Sequence, residues 1–199
     1  MHKMSKILFI AYLILFAVCA IEPYDRAVWL AENVPVLLVV AAIAISNYYH
    51  KYSNLALMFM AAFITLHTIG GHYTFERVPF DWFTDTFGFE RNHYDRIAHF
   101  SVGFYAFPLA EILKRNNLVN THWLLYLFPL FTIISVGGVY ELFEWQYAIS
   151  ADPEAGIAVL GSQGDIWDAQ KDILADTLGA LFALLIFKLR TLPSRNLRK

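Results

Sequence analysis

The chain reads as an all-α, polytopic bundle of transmembrane helices, and three observations predict this. Of its 199 residues, 58% are hydrophobic and 16% charged, against roughly 25% charged in soluble domains. The apolar residues fall in blocks of membrane length rather than alternating with polar ones. Seventeen Phe, eleven Tyr and five Trp supply the aromatic load of proteins that meet a bilayer interface. One integral membrane domain over residues 1–199 accommodates all of it. A single cysteine, Cys19, excludes an intramolecular disulfide and a multi-cysteine metal site, and reads as a packing residue. Basic patches with interleaved aromatics are missing, which excludes nucleic acid as a partner. The partner is the bilayer.

Six spans are expected. The first, 7–21, follows Lys3 and Lys6 and closes at Glu22-Pro23. Its charged start and Val18-Cys19-Ala20 ending imitate a signal peptide, but Val and Cys dilute the small-residue cleavage pattern and favour a retained helix. The second, 28–46, is flanked by the interface anchors Trp29 and Tyr48-Tyr49. The third is 55–71. A polar, aromatic stretch, 72–96, is too rich in Phe and Trp for a linker and should fold against the membrane face. Spans 97–113, stopped by Lys114-Arg115, and 123–140, continuing as helix to Trp145, come next. The loop Asp152-Pro153-Glu154-Ala155-Gly156 then leads to the last helix, whose apolar part is 172–189.

Charge sets the orientation. With the N-terminus inside, the cytoplasmic face receives Lys3, Lys6, Lys51, Lys114, Arg115, Lys188, Arg190, Arg195, Arg198 and Lys199. The outer face receives Arg26, Arg77, Arg91, Arg96 and Lys171. This excess fits the positive-inside rule with both termini cytoplasmic. Every acidic residue except Glu111 then lies on or near the outer face, as do His67, His72, His93 and His99.

Asp165, Asp168, Asp172 and Asp176 dominate that face. At about 100° per residue they share a stripe roughly 80° wide and about 16 Å long. A favourable helix dipole can account for Asp165 and Asp168. Asp172 and Asp176 lie deeper in apolar surroundings and call for buried partners. Asp95 and His99 are one turn apart on the helix entering span four, and Glu141 and Glu144 one turn apart at the end of span five. Gly70-Gly71, between His67 and His72, permits a bend or close helix approach.

Two kinds of neutralisation are open: ion pairs from Arg91 and Arg96, or a divalent cation held by hard oxygen ligands and imidazole. The metal candidates are Glu141, Glu144, Asp168, Asp172 and Asp176, and the metal's identity is open. Asp95 and His99 are the acid/base candidates and Arg96 an anion clamp. His67, His72, His93, Arg91 and Asp165 complete the polar pocket. The aspartate spacing is helical and is not a calcium-binding EF-hand loop; a His-Glu-x-x-His zinc motif, a nucleophile elbow and a Walker loop are all missing.

The strings HTIGGHYTF (67–75), FGFERNHYDRIAHFSVGF (87–104), YELFEW (140–145) and LGSQGDIWDAQKDILADTLGA (160–180) together resemble the YjdF-like bacterial inner-membrane proteins, a family of unassigned function. The resemblance runs from Ala31 to Leu189 and implies a multi-pass inner-membrane protein. A wider similarity to VanZ-like membrane proteins rests on Asp95, Arg96, His99 and Phe100, on Glu141 or Glu144, and on Asp172 or Asp176 with Gly179 and Ala180. The extra histidines and aspartates depart from that pattern, so a glycopeptide-resistance role is not carried over.

Three functional classes fit these residues. One is a metal-assisted hydrolase or transferase acting at the outer leaflet on a lipid or lipid-linked phosphate ester. The second is a non-enzymatic transporter or envelope accessory protein whose acids bind protons. The third is an acid–arginine network that holds the helices together.

Overall fold

The starts of three long apolar helices are set by capping side chains. The computed structural model describes residues 3–151 and 153–191. Asp25 accepts hydrogen bonds from the Ala27 and Val28 amides and starts α2 (Arg26–His50). Ser53 does the same for α3 (Asn54–His72) through Ala56, and Thr121 for α7 (His122–Ser150) through Leu124. Lys51 ends α2 in the left-handed region, its amide bonded to the Asn47 carbonyl. The remaining elements are α1 (Lys3–Cys19), α4 (Asp81–Phe87), α5 (Tyr94–Val102), α6 (Ala106–Arg115), α8 (Pro153–Leu160) and α9 (Asp168–Thr191). No strand occurs among the described residues.

By length and composition, α2, α3 and α7 could each cross a membrane. The first expected span, 7–21, is shifted: α1 starts at Lys3 and stops at Cys19, with turn backbone from Ala20 onward. The fourth, 97–113, is not one helix. It breaks at the 3₁₀ turn Gly103–Tyr105 between α5 and α6. Pro108 has no N–H to return to the Phe104 carbonyl, so the α ladder cannot run through this point. The fifth runs past Trp145 to Ser150, a helix of 29 residues and about 43 Å. Arg195, Arg198 and Lys199, which contributed to the expected charge asymmetry, and Asp152 lie outside the described residues.

The helix ends segregate by charge. At the basic end, Arg115 of α6 donates to the His50 and Lys51 carbonyls that close α2, at 2.5 and 2.7 Å, and pairs with Glu111. At the opposite, acidic end, His72 closes α3 and its Nδ1 meets the Cys19 carbonyl of α1 at 2.9 Å. The segment 72–96 carries the short aromatic helix α4, where Phe80, Phe83, Phe87 and Phe89 interlock. It is fastened to the 161–167 loop by a reciprocal pair: Asn92 N–H donates to Gln163 Oε1, and Gln163 Nε2 to the Asn92 carbonyl. Small residues let α9 approach α5 most closely. A side chain on Gly103 would strike the backbone of Asp176, Gly179 and Ala180, and one on Gly179 the Phe100 carbonyl. That crossing brings Asp176 against His99.

Candidate functional site

Three aspartates of the sequence stripe survive as a stripe. Asp168, Asp172 and Asp176 lie on the face of α9 turned to α5, and all three are buried. Asp165 is not on the helix, which begins at Asp168. Gly161, Gln163 and Gly164 adopt positive φ angles of 58°, 47° and 85°, and a helix cannot start through them. Asp165 instead caps it, accepting from the Trp167 amide at 3.1 Å and from Lys171 Nζ at 2.6 Å. The Lys171 hydrogen bond, aided by the Trp167 amide, holds the Asp165 carboxyl below the usual carboxylate range.

The two arginines close the upper part of this stripe. Arg91 donates to Asp168 at 2.6 Å and to the Ser162 and Gly161 carbonyls at 3.3 and 3.4 Å. Its position follows from the Asn92–Gln163 clasp one residue on. Arg96, on α5, forms close ion pairs with both Asp168 and Asp172 and lies 3.6 Å from Asp165 and 3.8 Å from Asp95. Charge-assisted guanidinium–carboxylate bonds of this kind are the strong ones.

Below the arginines the balance changes. His99 Nδ1 sits 3.1 Å from Asp176 Oδ1, which fixes the ring. Its Nε2 faces Asp95 Oδ1 at 3.7 Å, Asp172 Oδ1 at 3.8 Å and Glu141 Oε1 at 4.0 Å. None of these three is at hydrogen-bond distance, and Glu141 Oε1 is buried with no hydrogen-bond partner. The ligand atoms of Asp95, His99 and Asp172 all lie within 4.8 Å of one another. Asp176 Oδ2 points at Gly137 of α7, where any side chain would collide with it. Six carboxylates, Asp95, Asp165, Asp168, Asp172, Asp176 and Glu141, thus share one network with Arg91, Arg96 and Lys171. With all six ionised, two negative charges remain even when His99 is protonated.

A second polar cluster lies across the bundle. Glu32 of α2, 2% exposed, accepts from the Tyr140 hydroxyl at 2.6 Å and meets His67 Nε2 at 3.1 Å. Glu144 is buried in the same region of α7, one turn from Tyr140 and against Glu32. Glu32 and Tyr140 were not among the candidate residues read from the sequence. Glu32 was findable, because an ionisable side chain inside an apolar span is a functional signal by default.

The structure therefore gathers Asp95, Arg96, His99, Glu141, Asp172 and Asp176 into one site, with Arg91, Asp165 and Asp168 as its roof. His67 and Glu144 belong to the Glu32 cluster. Two candidates are drawn into neither: His72 binds the α1 terminus, and His93 bonds its own loop at the Arg91 carbonyl and stacks on Phe89. Between the two clusters lies a cavity of about 430 Å³, lined at its acidic end by Asp95, His99, Asp176, His67, Tyr140 and Glu144.

Residues 4–192 match the family described as "Predicted membrane protein (DUF2238)". The chain is also similar to the inner membrane protein YjdF of Escherichia coli (strain K12), 32% identical over 183 residues, which cover 90% of this chain and 85% of that protein. No solved structure matches it. With its apolar helices and this relative, the chain is an all-helical protein of the bacterial inner membrane, and it belongs to the DUF2238 family of predicted membrane proteins.

Proposed function

We propose that the His99 site holds a divalent metal ion and hydrolyses or transfers a phosphate ester of a lipid or lipid-linked substrate at the outer leaflet. One observation carries this reading: His99 Nε2 and three carboxylate oxygens face a common point with no hydrogen bonds among them, while Nδ1 is held by Asp176. A carboxylate behind a histidine ligand is the usual outer-shell arrangement of metal centres, because it fixes the tautomer and raises the ligand's basicity. Metal–ligand bonds of about 2.0–2.2 Å would need the surrounding groups to close by only a few tenths of an ångström. The ion would also remove the excess negative charge that the arginines leave.

In this reading Asp95, His99 and Asp172 are the ligands, and Arg96 holds Asp172 in place. A bound ion would supply a Lewis acid for the phosphoryl oxygens and lower the pKa of a water. Glu141, whose Oε1 has no hydrogen-bond partner, would act as the base that accepts a proton from the attacking water and returns it to the departing alkoxide as the ester P–O bond breaks. The basic residues gathered at the far end of the bundle support an outward-facing site.

A second reading, an acid–arginine brace without a ligand, is favoured by the Arg91 and Arg96 pairs alone. It leaves Glu141 Oε1, buried with no hydrogen-bond partner, without a purpose. The test is release of the alcohol or phosphate product from phosphatidylglycerol or phosphatidic acid by detergent-purified protein, with Mg²⁺, Mn²⁺ or Zn²⁺ added in turn. Metal-dependent release that falls about 10²–10⁴-fold in Glu141→Gln is the expected result. Release by no metal, or release that Glu141→Gln leaves intact, overturns it.

A further inference from the structure

The cavity below the site has a length, an opening and a polarity of its own. It is lined along α2 by one stripe from Pro35 to Ser46 and along α7 by another from Thr132 to Glu144. The rise along α2 from Pro35 to Ser46 is about 16 Å, close to half the ~30 Å hydrocarbon thickness of a bilayer. Polar side chains below the acidic end are already satisfied by the protein. Tyr52 donates to Ser46 Oγ at 3.0 Å, Thr132 to the Phe128 carbonyl at 2.8 Å, and Tyr105 to the Met60 carbonyl at 3.3 Å. Nothing there is free to bind a polar ligand.

The cavity is also open at the side. α2 packs on α3 and α8, and α7 on α6, α8 and α9, so α2 and α7 face each other across the space. Ala42 and Val136 line it and yet are exposed, Val136 by 52%. At the acidic end the gap is bridged by the Tyr140–Glu32 hydrogen bond. At the other end the Tyr52–Ser46 pair forms a floor.

We propose that this cavity is a binding slot for one acyl chain of a membrane glycerolipid. The chain enters sideways between α2 and α7 and ends near Tyr52, and its headgroup ester lies at His99. The depth fits a chain that spans one leaflet, the lining is apolar as the chain is, and the polar groups of the acidic end sit where a headgroup would be. Burial of the chain's methylenes, favourable against water, brings no gain for a chain that comes from the bilayer. Selectivity therefore rests on shape and on the headgroup. The inference deepens the proposed function and rests on it for the placement of the reacting ester, but the slot itself needs no metal.

The test uses metal-free protein in detergent with a phosphatidylglycerol whose acyl chain ends in a photoreactive diazirine. Crosslinks should map to the floor, at Tyr52, Met60 or Leu109. Val39→Trp, which fills the slot, should lower floor labelling at least tenfold, and the milder Ala42→Leu at the mouth several-fold. Crosslinks confined to outward positions such as Leu38 and Phe131, or floor labelling that neither variant changes, overturn the slot. So does preferential floor labelling by a polyisoprenyl phosphate probe. Floor labelling in a protein that never takes up metal supports the slot and removes the hydrolase. Metal uptake without floor labelling does the reverse.

Discussion

The two tiers of the acidic end use the same residue types to opposite effect. In the roof, Asp165, Asp168 and Asp172 meet Arg91, Arg96 and Lys171, and every carboxylate has a cation within 3.6 Å. In the site beneath, Asp95, Glu141 and Asp176 share a single imidazole, and Glu141 Oε1 has no hydrogen-bond partner. The roof is closed electrostatically and needs nothing added. With its carboxylates ionised, the lower tier carries more negative charge than one protonated imidazole balances, and such an excess is costly in a buried setting.

Removing a buried roof arginine should therefore be a folding defect, whereas removing a lower carboxylate should not. The largest effect is expected from Arg96→Ala, which leaves Asp168 and Asp172 buried without their shared partner. Loss of one member of a buried ion pair costs about 3–5 kcal/mol, read as a large fall in thermal unfolding temperature in detergent. An Arg96→Ala protein as stable as the wild type would mean that the roof is not a brace. The smallest effect belongs to Lys171→Ala, since Lys171 is half exposed and its pair with Asp165 is screened. Its unfolding temperature at neutral pH should fall only slightly, and the difference from wild type should close as the pH is lowered. Because the folded-state value of Asp165 is depressed, its contribution to stability is present above the ordinary carboxylate range and lost as pH falls through the folded value. The variant should lose that part of the acid-side slope.

Much of the architecture was written in the chain. Long apolar blocks became α2, α3 and α7 because nothing inside them breaks a helix; Pro35 and Pro129 are tolerated. The i, i+4 pairing of Asp95 with His99, and of Asp172 with Asp176, carried directly into geometry. Other features depended on tertiary context. The break at Gly103–Tyr105 reflects both Pro108 and the backbone of α9 pressed against Gly103. Asp165 left the stripe because Gln163, a non-glycine, takes a positive φ that no local pattern announces. Which acids would meet arginine and which histidine depended on where α5 crosses α9, and spacing within one helix does not record a crossing. Glu32 is the exception. It is an ionisable side chain inside an apolar span, a signal that needs no tertiary context.

The contrast between tiers comes down to one quantity, the divalent metal bound per chain, measured by elemental analysis of protein purified without chelator and titrated with Mg²⁺, Mn²⁺ and Zn²⁺. About one ion per wild-type chain is expected, lost in His99→Ala and retained in Lys171→Ala, with both variants folded. A wild-type protein that stays metal-free through the titration, or His99→Ala protein that binds as much as wild type, contradicts the account.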